Sequence, residues 1–216
     1  MRRISCMACI LVVLFPCLAL AAGTGVYVTP KVSLSVQHTK GTADLPAATW
    51  GPKHVVGASV GGAVALGYDF QPSFDVPVRL ELEYGASDHI TKTGSTRIYK
   101  KRFPFQAKVS VQTLLFNTYF DILNKNGFIP YIGAGAGAAF ITTRGHCLGM
   151  SARRTEAVPA AQVGLGCAYA FTEHIAVDLG YRFVVMGGTE TSCDAITLRL
   201  RQNSMHQVTL GLRMTF

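Results

Sequence analysis

The chain closes on Gln207-Val208-Thr209-Leu210-Gly211-Leu212-Arg213-Met214-Thr215-Phe216, ten residues that alternate without a break. Val208, Leu210, Leu212, Met214 and Phe216 share one parity, and Gln207, Thr209, Gly211, Arg213 and Thr215 share the other. A period of two is the repeat of a β-strand, whose successive side chains point to opposite faces. This strand therefore has one apolar face and one small or polar face. The pattern recurs upstream. Ile175, Val177, Leu179, Tyr181, Phe183 and Val185 oppose Ala176, Asp178, Gly180, Arg182 and Val184, and Val163, Leu165, Cys167, Tyr169 and Phe171 oppose Gln162, Gly164, Gly166, Ala168 and Ala170. In the N-terminal half, Val28, Pro30, Val32, Leu34 and Val36 oppose Thr29, Lys31, Ser33 and Ser35. Val56 to Phe70 and Val78 to Gly85 alternate in the same way.

Two further strands are less regular. Between Phe105 and Ile122 the parity of the apolar residues changes near Gln112 and Thr113, which predicts a bulge. Between Phe128 and Ile141 the run Tyr131-Ile132-Gly133-Ala134-Gly135-Ala136-Gly137 has mostly small residues. The count is eight strands of about 12 to 17 residues, long enough to cross a bilayer at a tilt. Short connections fall at residues 71–76, 123–127 and 172–174. Long ones fall at about 39–54, 88–104, 142–156 and 187–203. Short turns at one end and long loops at the other is the plan of a transmembrane up-and-down barrel.

Composition agrees. At 216 residues the chain has room for one domain, and with 49% hydrophobic and only 15% charged residues it is neither a disordered tail nor a typical soluble helical protein. Residues 1–21, MRRISCMACILVVLFPCLALA, combine Arg2 and Arg3, an apolar run and Ala19-Leu20-Ala21, and so read as a cleaved signal peptide. Its apolar run is too short for a membrane helix, and no later stretch is long enough for one. The mature part, residues 22–216, is then exported into an oxidising setting, which argues against nucleic acid as the partner of the +8 net charge.

A soluble sandwich would also alternate, but its outer faces should be richly charged. Here the second faces carry Gly, Ala and Ser with a few charges, as the narrow interior of a small barrel requires. Phe70, Phe120, Phe128, Tyr169 and Phe171 gather near the short-turn ends, as an interfacial aromatic girdle does. The expected fold is all-β, an eight-stranded antiparallel transmembrane barrel.

Three segments carry a resemblance. Phe116-Asn117-Thr118-Tyr119-Phe120-Asp121-Ile122 looks like an N-x-Y-x-D descending strand, and Ile129-Pro130-Tyr131-Ile132-Gly133-Ala134-Gly135 looks like a P-Y-I-G-x-G strand. Val208 to Phe216 looks like a terminal assembly signal with an aromatic last residue. In these the chain resembles the eight-stranded outer-membrane barrels of the OmpA-like and opacity (Opa) families. The resemblance implies an outer-membrane location and Phe216 as the residue presented to the barrel-assembly machinery. The families' partner-binding segments lie in variable loops, so no binding residue carries over.

The residues that could carry function fall into groups. Lys31, Arg79, Glu81, Glu83, Lys108, Asp178, Arg182 and Arg213 are placed inside the barrel, where opposite charges should pair, because an unpaired charge there is costly. Switching such pairs to open a small pore is the alternative. Lys92, Arg97, Lys100, Lys101, Arg102, Arg144, Arg153 and Arg154 form a basic patch in the second and third long loops. The turns hold Asp69, Asp75, Asp121 and Glu173 instead. The basic patch suits lipopolysaccharide phosphates or acidic host glycans or receptors. Cys147 and Cys193, in two loops on the same side, are expected to form a disulfide, while Cys167 faces lipid. Ser204, His206 and Glu190 were weighed as the triad of a lipid A-modifying barrel enzyme, but the Ser-to-His order is reversed from the H-x-S pattern associated with those enzymes. No histidine spacing suggests a metal, and no Gly-rich loop leads into a helix, so no metal or cofactor is expected. The function this favours is a non-enzymatic surface barrel of adhesin or surface-antigen type, with a small-pore porin as the alternative.

Overall fold

The computed structural model describes the backbone of residues 25–45, 48–88, 90–98, 101–124, 127–147, 150–193 and 196–216. Side chains are described for the same residues except 39–45, 48–55, 90–98, 101–108, 143–147, 150–153, 189–193 and 196–202. The expected signal segment, 1–21, lies outside the described residues.

The alternating segments form ten strands: β1 (Val26–Leu45), β2 (Ala48–Asp69), β3 (Val78–Ser87), β4 (Ile90–Ile98), β5 (Lys101–Asp121), β6 (Phe128–Cys147), β7 (Met150–Ala170), β8 (Ile175–Met186), β9 (Thr189–Cys193) and β10 (Ile196–Thr215). All pairing is antiparallel in one sheet of order β1-β2-β3-β5-β6-β7-β8-β10, with β4 continuing above β3 on β5 and β9 above β8 on β10. β1 pairs β10 from Tyr27↔Thr215 to Asp44↔Thr197, which closes eight staves into a barrel. Closure leaves no free sheet edge to be satisfied inside lipid. A single sheet also leaves no second layer to cover Tyr181 and Phe183, so the sandwich alternative is excluded.

The segments expected as loops differ from expectation. Most of 39–54, 88–104, 142–156 and 187–203 is ladder-paired backbone, in hairpin arms that extend β1–β2, β4–β5, β6–β7 and β9–β10. Alternation fades there in the sequence, yet the backbone donors and acceptors pair across each hairpin. The short connections stand as expected. One holds a four-residue helix, α1 (Gln71–Phe74), ended by Asp75 at φ 55°.

The bulge expected near Gln112 and Thr113 is absent. β5 keeps one register with β3 from Val78↔Phe120 to Ala86↔Gln112 and one with β6 from Gln106↔His146 to Asp121↔Tyr131. Val111, Thr113, Leu115 and Asn117 all face inward and are buried. The apparent parity change has another cause: the lumen itself turns apolar toward the hairpin end. There Val111, Leu115, Ala139, Ile141, Val158, Ala160, Val184, Met186 and Met205 pack into one cluster.

The outer face is greasy throughout. Leu34 is 64% exposed and Leu165 59%, far outside the normal state of such residues in a water-soluble chain unless lipid covers them. At the short-turn end the ring centres of Phe128 and Tyr169 are 4.8 Å apart, Tyr169 meets Phe171 edge to face at 4.9 Å, and Tyr68 meets Phe70 edge to face at 4.8 Å. These form the aromatic girdle.

Large and small residues alternate between neighbouring staves inside. A Cβ on Gly133 would strike the ring of Tyr119, one on Gly67 the ring of Tyr27, and one on Gly166 the ring of Tyr131. The glycines are there so that each inward tyrosine can lie flat along the adjacent strand.

Candidate functional site: a filled lumen and a basic extracellular rim

The short-turn half of the lumen holds a charge network built on β3, whose inward parity carries Arg79, Glu81 and Glu83. Lys31 on β1 donates to Glu81 at 2.5 Å and to Glu83 at 2.8 Å. Arg182 on β8 donates across the lumen to Glu83 at 2.6 Å and also to Gln207, which in turn donates to Ser35 at 3.0 Å. Arg79 forms a two-pronged pair with Asp121 at 2.6 and 2.9 Å, the fork geometry that makes arginine–carboxylate pairs strong. Its guanidinium carbon lies 5.0 Å from the Tyr119 ring centre and 5.1 Å from that of Tyr131. Asp178 accepts from the Tyr131 hydroxyl and lies 3.9 Å from Arg213. Seven of the eight residues placed inside from sequence thus stand in one connected interior.

One placement changes. Asp121, expected in a periplasmic turn, is the last inward residue of β5 and is buried against Arg79. Lys108, expected inside, has its side chain outside the described ones; its backbone position in β5 has the parity of Leu114 and Phe116 and pairs with Arg144. The sequence signal for Asp121 was available in the N-x-Y-x-D spacing, because Asn117, Tyr119 and Asp121 share inward parity. Gln162 was missed as well; its amide donates to Asn117 at 2.6 Å.

Such an interior leaves little space. Among the described residues, two small voids in it each have room for about one water, and Arg182 lines both. The apolar cluster closes the hairpin end above.

Of Ser204, His206 and Glu190, the structure describes the surroundings of His206. His206 lies on the lipid-facing side, its Nδ1 2.7 Å from the Tyr181 hydroxyl. Its ring centre is 4.9 Å from Phe183 and 5.8 Å from His38. A hydrolytic histidine needs a carboxylate at this nitrogen, and a phenol stands there. Glu190 falls opposite Arg199 in the β9–β10 hairpin, and its side chain lies outside the described ones. Among the described residues no group of three or more His, Cys, Asp or Glu side chains could hold a metal.

At the rim, Arg154 is paired to Glu156 at 2.6 Å, so its charge is already balanced. The side chains of Lys92, Arg97, Lys101, Arg102, Arg144 and Arg153 lie outside the described ones, as does Lys100 altogether, but register fixes the positions of the rest. Arg97 is opposite Arg102, and Arg144 opposite Arg153. Cys147 ends β6 and Cys193 ends β9, on two hairpins that no described strand pairing joins at that height. A bridge therefore requires the hairpins to lean together, since linked Cα atoms lie within about 7 Å. In the oxidised protein the expected result is one disulfide, with Cys167 as the sole thiol alkylated before reduction. Alkylation of all three would overturn it.

A closed barrel with an apolar outer band, an aromatic girdle and a filled polar lumen is an integral membrane barrel. The chain belongs to the family of the outer membrane protein beta-barrel domain, whose model matches residues 7–213, and it resides in the outer membrane. It is 30% identical over 195 residues to outer membrane protein PagN of Salmonella typhimurium, covering 80% of this chain and 79% of that one. The fold is also similar to the outer membrane protein OprG from Pseudomonas aeruginosa, with TM-score 0.55, 15% identity, and coverage of 90% and 97% of the two chains.

Proposed function

We propose that the protein is a non-enzymatic surface barrel that uses its basic hairpins to hold acidic glycans. The observation that carries this reading is the β4–β5 hairpin, where Arg97 is in register with Arg102 across the ladder and Lys100, Lys101 and Arg102 follow one another in the sequence. Like charges placed opposite one another weaken a hairpin, and a polyanion draped over it offsets that cost. The barrel beneath is a rigid support. Its lumen is held by paired charges.

The test is binding of heparin by intact cells or by refolded protein, comparing the wild type with a Lys100→Ser, Lys101→Ser, Arg102→Ser variant. Binding should fall about tenfold or more and should weaken steeply with salt in the wild type. Unchanged binding would overturn the glycan reading. The porin alternative would be favoured instead by discrete conductance in planar bilayers, which the filled lumen argues against.

A further inference from the structure

Two histidines from opposite ends of the chain meet on the outer wall, across the seam that closes the barrel. His38 of β1 is in register with Ser204 of β10, and His206 of β10 with Val36 of β1. All three polar residues have the outward parity of Leu34 and Val208. The two imidazole centres are 5.8 Å apart, with their planes at 84°.

A third stave orients one of the rings. The Nδ1 of His206 lies 2.7 Å from the Tyr181 hydroxyl on β8, and the ring centre of Phe183 is 4.9 Å away. Because β10 runs between β8 and β1, Tyr181 and His38 flank His206 from opposite sides. In the tautomer whose Nδ1–H donates to the phenol oxygen, Nε2 keeps its lone pair, which is how an outer partner prepares a histidine to ligate a metal. Among the described residues, no side chain takes the Nε2 of His206 or either ring nitrogen of His38.

The spacing suits one ion. A metal about 2.0 to 2.1 Å from an imidazole nitrogen lies about 3.2 Å from the ring centre, so two rings on one ion have centres about 5.2 Å apart at the tetrahedral angle and about 6.4 Å apart when opposed. The 5.8 Å between His38 and His206 falls inside that interval. Height leaves the pair within reach of water. Phe216, whose N–H donates to Val26 at the short-turn end, is ten residues along β10 from His206, a rise of roughly 25 Å at about 3.3 Å per residue and about 40° of tilt. That equals the height of the apolar band, so the pair stands at its outer edge.

We infer that His38 and His206 form a two-imidazole site for a divalent transition cation of the Zn²⁺ and Cu²⁺ class, held across the closing seam. Imidazole suits these ions, whereas Mg²⁺ and Ca²⁺ take oxygen ligands. Water and the Ser204 hydroxyl complete the coordination. Histidine spacing in the sequence does not announce the site, because its ligands come from the first and last staves. An ion there ties β1 to β10, so it binds the closed barrel in preference to the unfolded chain. The site is separate from the glycan reading, which uses the β4–β5 hairpin.

The test uses the full mature chain refolded into phosphatidylcholine vesicles, with ZnCl₂ or CuCl₂ alone as the probe and MgCl₂ as the control. The wild type should bind Zn²⁺ and not Mg²⁺. His38→Gln and His206→Gln should each weaken Zn²⁺ binding about tenfold or more, and Tyr181→Phe about threefold or more, while His174→Gln in a short turn should leave it unchanged. Folding is checked by heat-dependent electrophoretic mobility. Two further readouts accompany the affinities: the Cu²⁺ electron paramagnetic resonance spectrum of the wild type should show two imidazole nitrogens, and Zn²⁺ should raise the guanidinium midpoint of the wild type but not of the doubly substituted barrel. Wild-type Zn²⁺ affinity in the folded His38→Gln, His206→Gln variant, a Cu²⁺ spectrum with one nitrogen, or equal midpoint shifts in the two proteins would each overturn the inference.

Discussion

Replacing Glu83 by Gln is expected to cost about 3 to 5 kcal/mol of barrel stability, because it strands the buried guanidinium of Arg182 and leaves Lys31 with Glu81 alone. Glu83 has no exposed side chain, and Lys31 and Arg182 reach it at 2.8 and 2.6 Å from different staves. Glutamine keeps the volume and removes the charge, so the loss reports the uncompensated guanidinium rather than a void. Guanidinium unfolding of the barrel refolded into lipid vesicles is the measurement. A deficit under about 1 kcal/mol would mean that the lumen hydrates its charges and is not the tight interior described here. The apolar double, Glu83→Leu with Arg182→Met, should recover most of the deficit, since it removes Arg182 with its carboxylate and leaves Lys31 paired with Glu81.

Gly135→Val should be of comparable size for a steric reason. A Cβ at Gly135 would stand 2.8 Å from the Phe116 carbonyl oxygen and would collide with the amide oxygen of Asn117. Backbone pairing of Phe116 with Ala136 holds that carbonyl in place, and Asn117 is fully buried with Gln162 as its donor. Overpacking of about 1 to 3 kcal/mol is joined by a broken buried hydrogen bond of similar cost, for a total near 3 to 5 kcal/mol. The neighbouring Ala136 faces lipid, so Ala136→Val should change stability by less than about 0.5 kcal/mol. Measured as the yield of compact barrel after refolding, equal effects at the two positions would contradict the assigned faces.

These positions show why the outside was easier to read than the inside. Val208, Leu210 and Leu212 face a uniform solvent of hydrocarbon, so their alternation with Thr209 and Gly211 is plain in the sequence. The interior has no uniform demand. It takes Tyr131 where Gly166 makes room, Asn117 where Gly135 does, and Val111 and Leu115 where the lumen turns apolar. Leu114, Leu115 and Phe116 are three apolar residues in a row, and hydropathy alone cannot tell that the middle one points in; the expected bulge and the inward placing of Lys108 both arose there. Asp121 read as a turn residue because it lies beside one, although its partner Arg79 lies one stave away. The hairpin arms escaped notice because the period of two fades there in the sequence.

Glu83 and Arg182 are 99 positions apart in the chain and come from staves on opposite sides of the cylinder. Arg182 gains this carboxylate only when staves from both halves enclose the lumen, which the last seam, β1 against β10, completes. Entry of single hairpins into the bilayer one after another would carry bare ions through hydrocarbon, whereas a nearly complete curl of strands would not. The same tie that steadies the finished cylinder therefore dictates that its strands go in together.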